Sequence, residues 1–196
     1  MLNNYTDSRN HVNNWHIDLR KRHEYLSKIM VAIGWEYDPG NTFDLDLICF
    51  LLGENHKLIS KDHFVFYNNL RSPDGAVEHS GDNNDGRGDG ADEIIYVNLD
   101  LIDQNVQEMI FSVIINKAED RDQVFGLLAD AFVTIEDVEH DRQLISFQLD
   151  TEFPSATSVD LARLVKQGEH WEFQNHGICT DNDLPDYLRV YGQPGN

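Results

Sequence analysis

The chain has 196 residues, enough for one domain with a substantial core and short of two full domains. Fifteen Lys and Arg stand against 35 Asp and Glu, a formal net charge of -20, which excludes a nucleic-acid backbone or a bare anionic membrane as the natural partner and favours a cation. With 40% hydrophobic and 26% charged residues, that acidity belongs to the surface of a folded protein and not to a disordered acidic chain.

In chain order, residues 1–27 are polar and rich in Asn and His, and predict an N-terminal arm with at most one helical turn, through "WHIDLRKRHEYL". From residue 28 the pattern turns to β, and 28–196 is expected to form a single domain. "KIMVAIGWEY", "FDLDLICFLL", "HFVFYN", "EIIYVNL", "EMIFSVII", "AFVTIED", "QLISFQL", "VDLARLVKQ" and "HWEFQN" are short runs rich in β-branched and aromatic residues, separated by turn formers. In Phe43-Asp44-Leu45-Asp46-Leu47 strict alternation sends the apolar residues one way and both aspartates the other, predicting one packed face and one wet one. "GENHKL" reads as a hairpin turn, Ser72-Pro73-Asp74-Gly75 as a tight turn, "DQVFGLLADAF" as a short helix or turn, and "DLPDYLRVYG" as a helical cap over about residues 181–192. Nine such runs with few long helical patterns between them point to a mainly β protein, an antiparallel β-sandwich with short peripheral helices.

Several chemistries are set aside by what the chain lacks. Cys49 and Cys179 form no Cys-x-x-Cys pair, which argues against a disulfide framework and a zinc ribbon and fits a reducing cytoplasm. No apolar stretch approaches the roughly 20 residues needed to cross a bilayer, so a transmembrane segment is not expected. The nine histidines make no H-E-x-x-H or H-x-H pattern, and neither a Walker A sequence, a dinucleotide fingerprint nor a nucleophile elbow is present. His79 alone adjoins the acidic loop and reads as a polar strand-end residue. Trp35 and Trp171 read as core aromatics, and Cys49, between Ile48 and Phe50, as a buried and inert thiol.

The stretch "GDNNDGRGDGADE", Gly81 to Glu93, crowds Asp82, Asp85, Asp89, Asp92 and Glu93 among four glycines with Arg87 as the single base. Like charges on a flexible loop repel, and ordering the loop costs entropy. A hard divalent cation offsets both, since calcium takes six to eight oxygen ligands and glycines let main-chain carbonyls turn inward. As an EF-hand the segment fails, because Arg87 occupies the sixth position and a strand follows. As a calcium-binding nonapeptide repeat it stands in a single copy where a β-helix needs many. Two further segments offer oxygens: Asp44 and Asp46 on one strand face, and Asn68 and Asn69 at the end of "HFVFYNN".

"IGWEY", "FDLDLICFLLG", "FVFYNNLRSPDGAVEHSGDNNDGRGDGADEIIYVNL", "AEDRDQVFGLLADAFV" and "HWEF", in that order, resemble the tellurium-resistance TerD family over about residues 29–178. The resemblance implies a calcium-binding β-sandwich without catalytic activity, working in bacterial tellurite and stress resistance with protein partners of the same system, in the cytoplasm or peripheral to the inner membrane. It also implies the ligands: Asp44 and Asp46 of the strand, Asp82, Asp89, Asp92 and Glu93 of the loop, and Asn68, Asn69 and Asn83 as oxygen donors. Where such sequences usually carry His-Asp this chain has Asn116-Lys117, which leaves one or two ions as the expected number. The alternatives are a calcium-dependent recognition or membrane-associating module and, further off, a metal-dependent hydrolase, against which stands the lack of an evident water-activating base.

Overall fold

The computed structural model describes residues 26–87 and 90–193. The expected N-terminal arm lies outside these residues except for Leu26 and Ser27, which are buried. Ten strands follow: β1 (Lys28–Gly34), β2 (Leu45–Leu52), β3 (Phe64–Val65), β4 (Val77–His79), β5 (Glu93–Asn98), β6 (Glu108–Ile115), β7 (Phe132–Asp137), β8 (Arg142–Gln148), β9 (Ser158–Gln167) and β10 (His170–Thr180). Three short helices, α1 (Ala118–Arg121), α2 (Leu149–Glu152) and α3 (Leu184–Tyr191), complete the set. Among the described residues no helix is long and apolar enough to cross a membrane.

The strands form two five-stranded sheets, ordered β4-β5-β1-β7-β8 and β10-β9-β6-β2-β3, with every neighbouring pair antiparallel. This is the antiparallel sandwich that the alternating runs predict. Between the sheets lies one apolar core, filled by Ile29, Val31 and Ile33 of β1, Leu45, Leu47, Cys49 and Leu51 of β2, and Met109, Phe111 and Val113 of β6. β-branched and aromatic side chains fit this pleated, half-enclosed surface. All nine expected runs contain a strand; the tenth, β4, is three residues long and is held by β5 through Val77↔Val97 and His79↔Ile95. "DQVFGLLADAF" becomes a single 3-10 turn, Phe125–Leu127, just after α1.

The expectation of a wet face on the "FDLDL" strand is corrected by the structure. Every residue from Leu45 to Leu52 is buried. The odd-numbered side chains enter the sandwich core, whereas Ile48, Phe50 and Leu52 on the other face join Leu58, Phe64, Ile110 and Ile114 in a second cluster closed by Tyr187 of α3. The cap helix supplies the cover that a strand pattern alone does not reveal. Its inner side carries Leu184, Tyr187 and Tyr191, and its outer side Leu188 and Val190. Asp183 caps it by accepting from the Asp186 N–H at 2.8 Å, with Pro185 in the first turn. Asp44 and Asp46 continue the same outward row as Ile48 and Phe50, toward the end of the sheet where the β4–β5 loop arrives.

Candidate metal centre

The period of two along β2 places Asp44 and Asp46 side by side, and the loop from β4 to β5 brings Asp82 against them. One carboxylate oxygen from each of the three lies within 4.8 Å of the others. Asp46 is only 3% exposed, Asp44 is half-buried and Asp82 is exposed, so the cluster has a buried floor and an open rim. The Asn116 Nδ2 donates to Asp44 Oδ2 at 2.8 Å. Among the described residues nothing donates to the Asp46 carboxylate.

Burial drives Asp46 upward, and Glu93, Asp44 and Asp82 add to it, so that its carboxyl is pushed up to about 8. Asp44 is raised as well, chiefly by burial and further by Asp82, against the Asn116 hydrogen bond and the charges of Arg121 and Lys117. Three carboxyls this close cannot all ionise cheaply unless positive charge joins them. The donors are oxygen throughout, and no Cys or His belongs to the cluster. Such a set fits a hard divalent cation and not zinc.

Behind the cluster the loop is fastened by its other acidic residues. Asp92 Oδ2 accepts from the Trp35 N–H at 2.9 Å, and Asp92 Oδ1 from Asn83 Nδ2 at 2.7 Å. Burial raises Asp92 even so, with the Trp35 bond opposing. Glu93, wholly buried, accepts from the Leu47 N–H at 2.7 Å and the Asn83 N–H at 3.3 Å, and burial again raises its carboxyl despite these bonds and that of His79. His79 Nδ1 accepts from the Gly81 N–H at 3.1 Å, which leaves Nε2 to carry the proton toward the Leu47 carbonyl at 3.0 Å, with Glu93 at 3.4 Å. Asn83 Oδ1 accepts from the Asp85 and Gly86 N–H groups, making the loop's inner turn. Gly86 has φ 70° and packs so closely on Trp35 that a Cβ would lie 2.5 Å from the indole nitrogen.

Of the sequence-derived ligand positions, then, Asp44, Asp46 and Asp82 converge, and Glu93 lies near enough to bear on Asp46. Asp92, Glu93 and Asn83 form the frame that ties the loop to β1 and β2. Asn69 Nδ2 donates to the carbonyls of Phe64 at 2.7 Å and Asp62 at 3.1 Å, while Asn68 is exposed at the same turn. Asp89 lies outside the described residues. His79 and Asn116 are the contributors that the sequence left without a role, and only the proximity of His79 to the loop hinted at one. Asp46 also floors a cleft of about 410 Å³ whose walls include Lys117, Glu119, Asp120, Asp181 and Asp183.

The TerD domain model matches residues 12–191. General stress protein 16U of Bacillus subtilis is 39% identical over 179 residues, covering 90% of this chain and 93% of that protein. Tellurium resistance protein TerD of Serratia marcescens is 34% identical over 178 residues, with the same coverage of 90% and 93%. Among solved structures, a homologue of telluride resistance protein (TerD) from Streptomyces coelicolor A3(2) superposes with a TM-score of 0.72 at 22% identity, covering 85% of this chain and 96% of that one, a likeness of fold. With the domain model matching nearly the whole of this chain and relatives this similar, the chain belongs to the TerD domain family, whose members include tellurium resistance and general stress proteins.

Proposed function

We propose that this protein is a non-enzymatic calcium-binding member of a bacterial tellurite- and stress-resistance system, taking one or two ions and acting through protein partners in the cytoplasm or at the inner membrane. The observation that carries the reading is the convergence of Asp44, Asp46 and Asp82 around a buried carboxylate that has no donor among the described residues. A calcium ion supplies positive charge there and accepts many oxygen ligands in a pliable geometry, whereas magnesium requires a tight octahedron and gives up water reluctantly. The names of the relatives support the resistance and stress setting. The absence of catalysis is supported by the commitments of His79, whose ring nitrogens both engage neighbouring backbone and leave it no part in activating a water. Titration calorimetry on metal-stripped protein tests the reading: calcium gives a saturable heat with an affinity well above that of magnesium. Equal affinities for the two ions, or no calcium heat, would overturn it.

A further inference from the structure

We infer that the outward face of the β4-β5-β1-β7-β8 sheet is a docking surface, and that the partner it fits is a basic amphipathic helix of another protein. This rests on the proposed action through protein partners, whose meeting place and chemistry it names, and does not depend on the cation.

Residues opposite one another in an antiparallel pair point to the same side, so the strand register reads out this face directly. It sets Tyr96 beside Met30, Ile94 beside Ala32 and Phe132 beside Gly34. Met30, Ile94, Tyr96 and Phe132 belong to neither buried apolar cluster, and Tyr96 is 45% exposed. A solvated antiparallel face ordinarily turns polar residues outward, yet the centre of this one is apolar and uncharged in a protein of formal charge -20. Acid stands around it. Glu78 and Glu136 flank the Tyr96 and Met30 pair, one on each side. Beyond Phe132 the face runs into a cleft of about 710 Å³ walled by Trp35, Tyr37 and Phe132, with Glu36 and Asp130 at its border. Arg87, the base among its described lining residues, is already engaged with Asp85 at 3.0 Å and stacked on Tyr37. Glu36, Asp130 and Glu136 have no ion-pair partner among the described residues.

Charge decides what covers such a surface. A second copy would set Glu36, Asp130 and Glu136 against carboxylates of its own, and an anionic bilayer would meet the same repulsion. Lys and Arg on either side of an apolar stripe answer both the rim and the centre. The apolar strip lies on β5, β1 and β7, about 10 Å between the outer two strands, which is the diameter of one helix. The other sheet shows the same solution within the chain, for there α3 lays Leu184, Tyr187 and Tyr191 over Phe50 and Ile110. The cleft then receives a bulky apolar or aromatic side chain at the end of the stripe, the kind of anchor that carries most of the energy of an interface.

The test uses the full chain and two labelled synthetic peptides of identical Leu, Trp and Lys composition, one ordered as an amphipathic helix and one shuffled. Binding is followed by fluorescence anisotropy at physiological salt, where the long-range pull of an acidic protein on any polycation is screened. The ordered peptide is expected to bind at least about tenfold more tightly than the shuffled one. Ile94→Thr with Tyr96→Thr, which keeps strand propensity, should abolish that preference, whereas Leu127→Gln with Leu188→Gln, exposed apolar residues off this face, should leave it intact. Glu36→Gln, Asp130→Asn and Glu136→Gln together should weaken the ordered peptide and flatten its salt dependence. No binding, equal binding of the two peptides, or an undiminished preference in the Ile94 and Tyr96 variant overturns the docking surface. Co-sedimentation with phosphatidylserine vesicles that the same variant abolishes assigns the face to a membrane and overturns it as well. Calcium heat without peptide binding removes the docking surface alone, and peptide binding without calcium heat removes the metal reading alone.

Discussion

Asp46 is where burial and like charge act hardest on a single side chain, and its titration sets a measurable sign. Its carboxyl is ordinary in the unfolded chain and pushed up to about 8 in the metal-free fold. Between about pH 4 and pH 8 the native state therefore holds a proton that the unfolded state has released, and metal-free stability falls as pH rises through that window. On the proposed reading calcium would displace the proton, so affinity should climb over the same range and binding at pH 7 should release protons, seen as heats that vary with the buffer. Asp46→Asn should flatten this pH dependence, melt above the parent protein in chelator at pH 8, and lower calcium affinity by about 100-fold. A chelator melt unchanged by the substitution would count against the buried charge. Glu93→Ala should cost both affinity and about 1–3 kcal/mol of stability, because the Leu47 and Asn83 N–H groups lose their acceptor. Asp85→Ala, whose carboxylate meets Arg87 at the surface, should stay within about 0.5 kcal/mol in the same melts. Asp44 and Asp46 were legible in the sequence as a same-face pair, since strand period fixes direction. The partner of Glu93 was not, because Leu47 is 46 residues away and no local pattern encodes which backbone amide a carboxylate will meet.

At the scale of elements, β2 was readable as a strand and misread as an exposed one. Its alternating head suggested a solvent face, but its continuous apolar tail, "LICFLL", belongs to a strand covered on both sides. The cover is α3, whose capping residues were plain in "DLPDYLRVYG", although which face it would meet was not. β4 escaped notice for a different reason: three residues carry too little pattern, and its pairing comes from β5. The end of β1 gives a prediction of its own. A Cβ on Gly34 would lie 2.5 Å from the Phe132 ring and 2.7 Å from the Gly90 carbonyl, so the strand end, β7 and the acidic loop meet with no space for a methyl group. Gly34→Ala should destabilise by about 1–3 kcal/mol and weaken calcium binding indirectly, by displacing the loop. Melting and calorimetry on the variant check both halves, and a neutral substitution would show that the loop shifts freely away from β1.

Over the whole molecule the formal charge of -20 makes each added carboxylate harder to hold, and the metal-free state carries that repulsion. A ligand binding only the native state stabilises by about 2.7 kcal/mol at 100 times its Kd, which for a domain of this size is several degrees of melting temperature. Chelation should lower the melting point accordingly and speed amide exchange between residues 68 and 93 well before it reaches β6, whose eight residues are all buried. Added monovalent salt should recover only the screened, long-range part. Superimposable melts in calcium and chelator would mean that the ion is not part of the fold's stability. The sandwich was legible at this scale because alternation, turn residues and strand count all agreed, and so was the family, from the acidic loop and its flanking strands. The pairing order of the sheets was not, because it depends on contacts between distant segments. That order has a consequence for the chain as it is made. β1 is the first of the described strands to leave the ribosome, yet it lies at the centre of its sheet between β5 and β7, and its strand partners begin only at Glu93. The nascent chain must therefore carry "KIMVAIG" without a strand partner until β5 is made, and with one edge open until β7 follows, so the earliest described strand waits on two distant segments before it is enclosed.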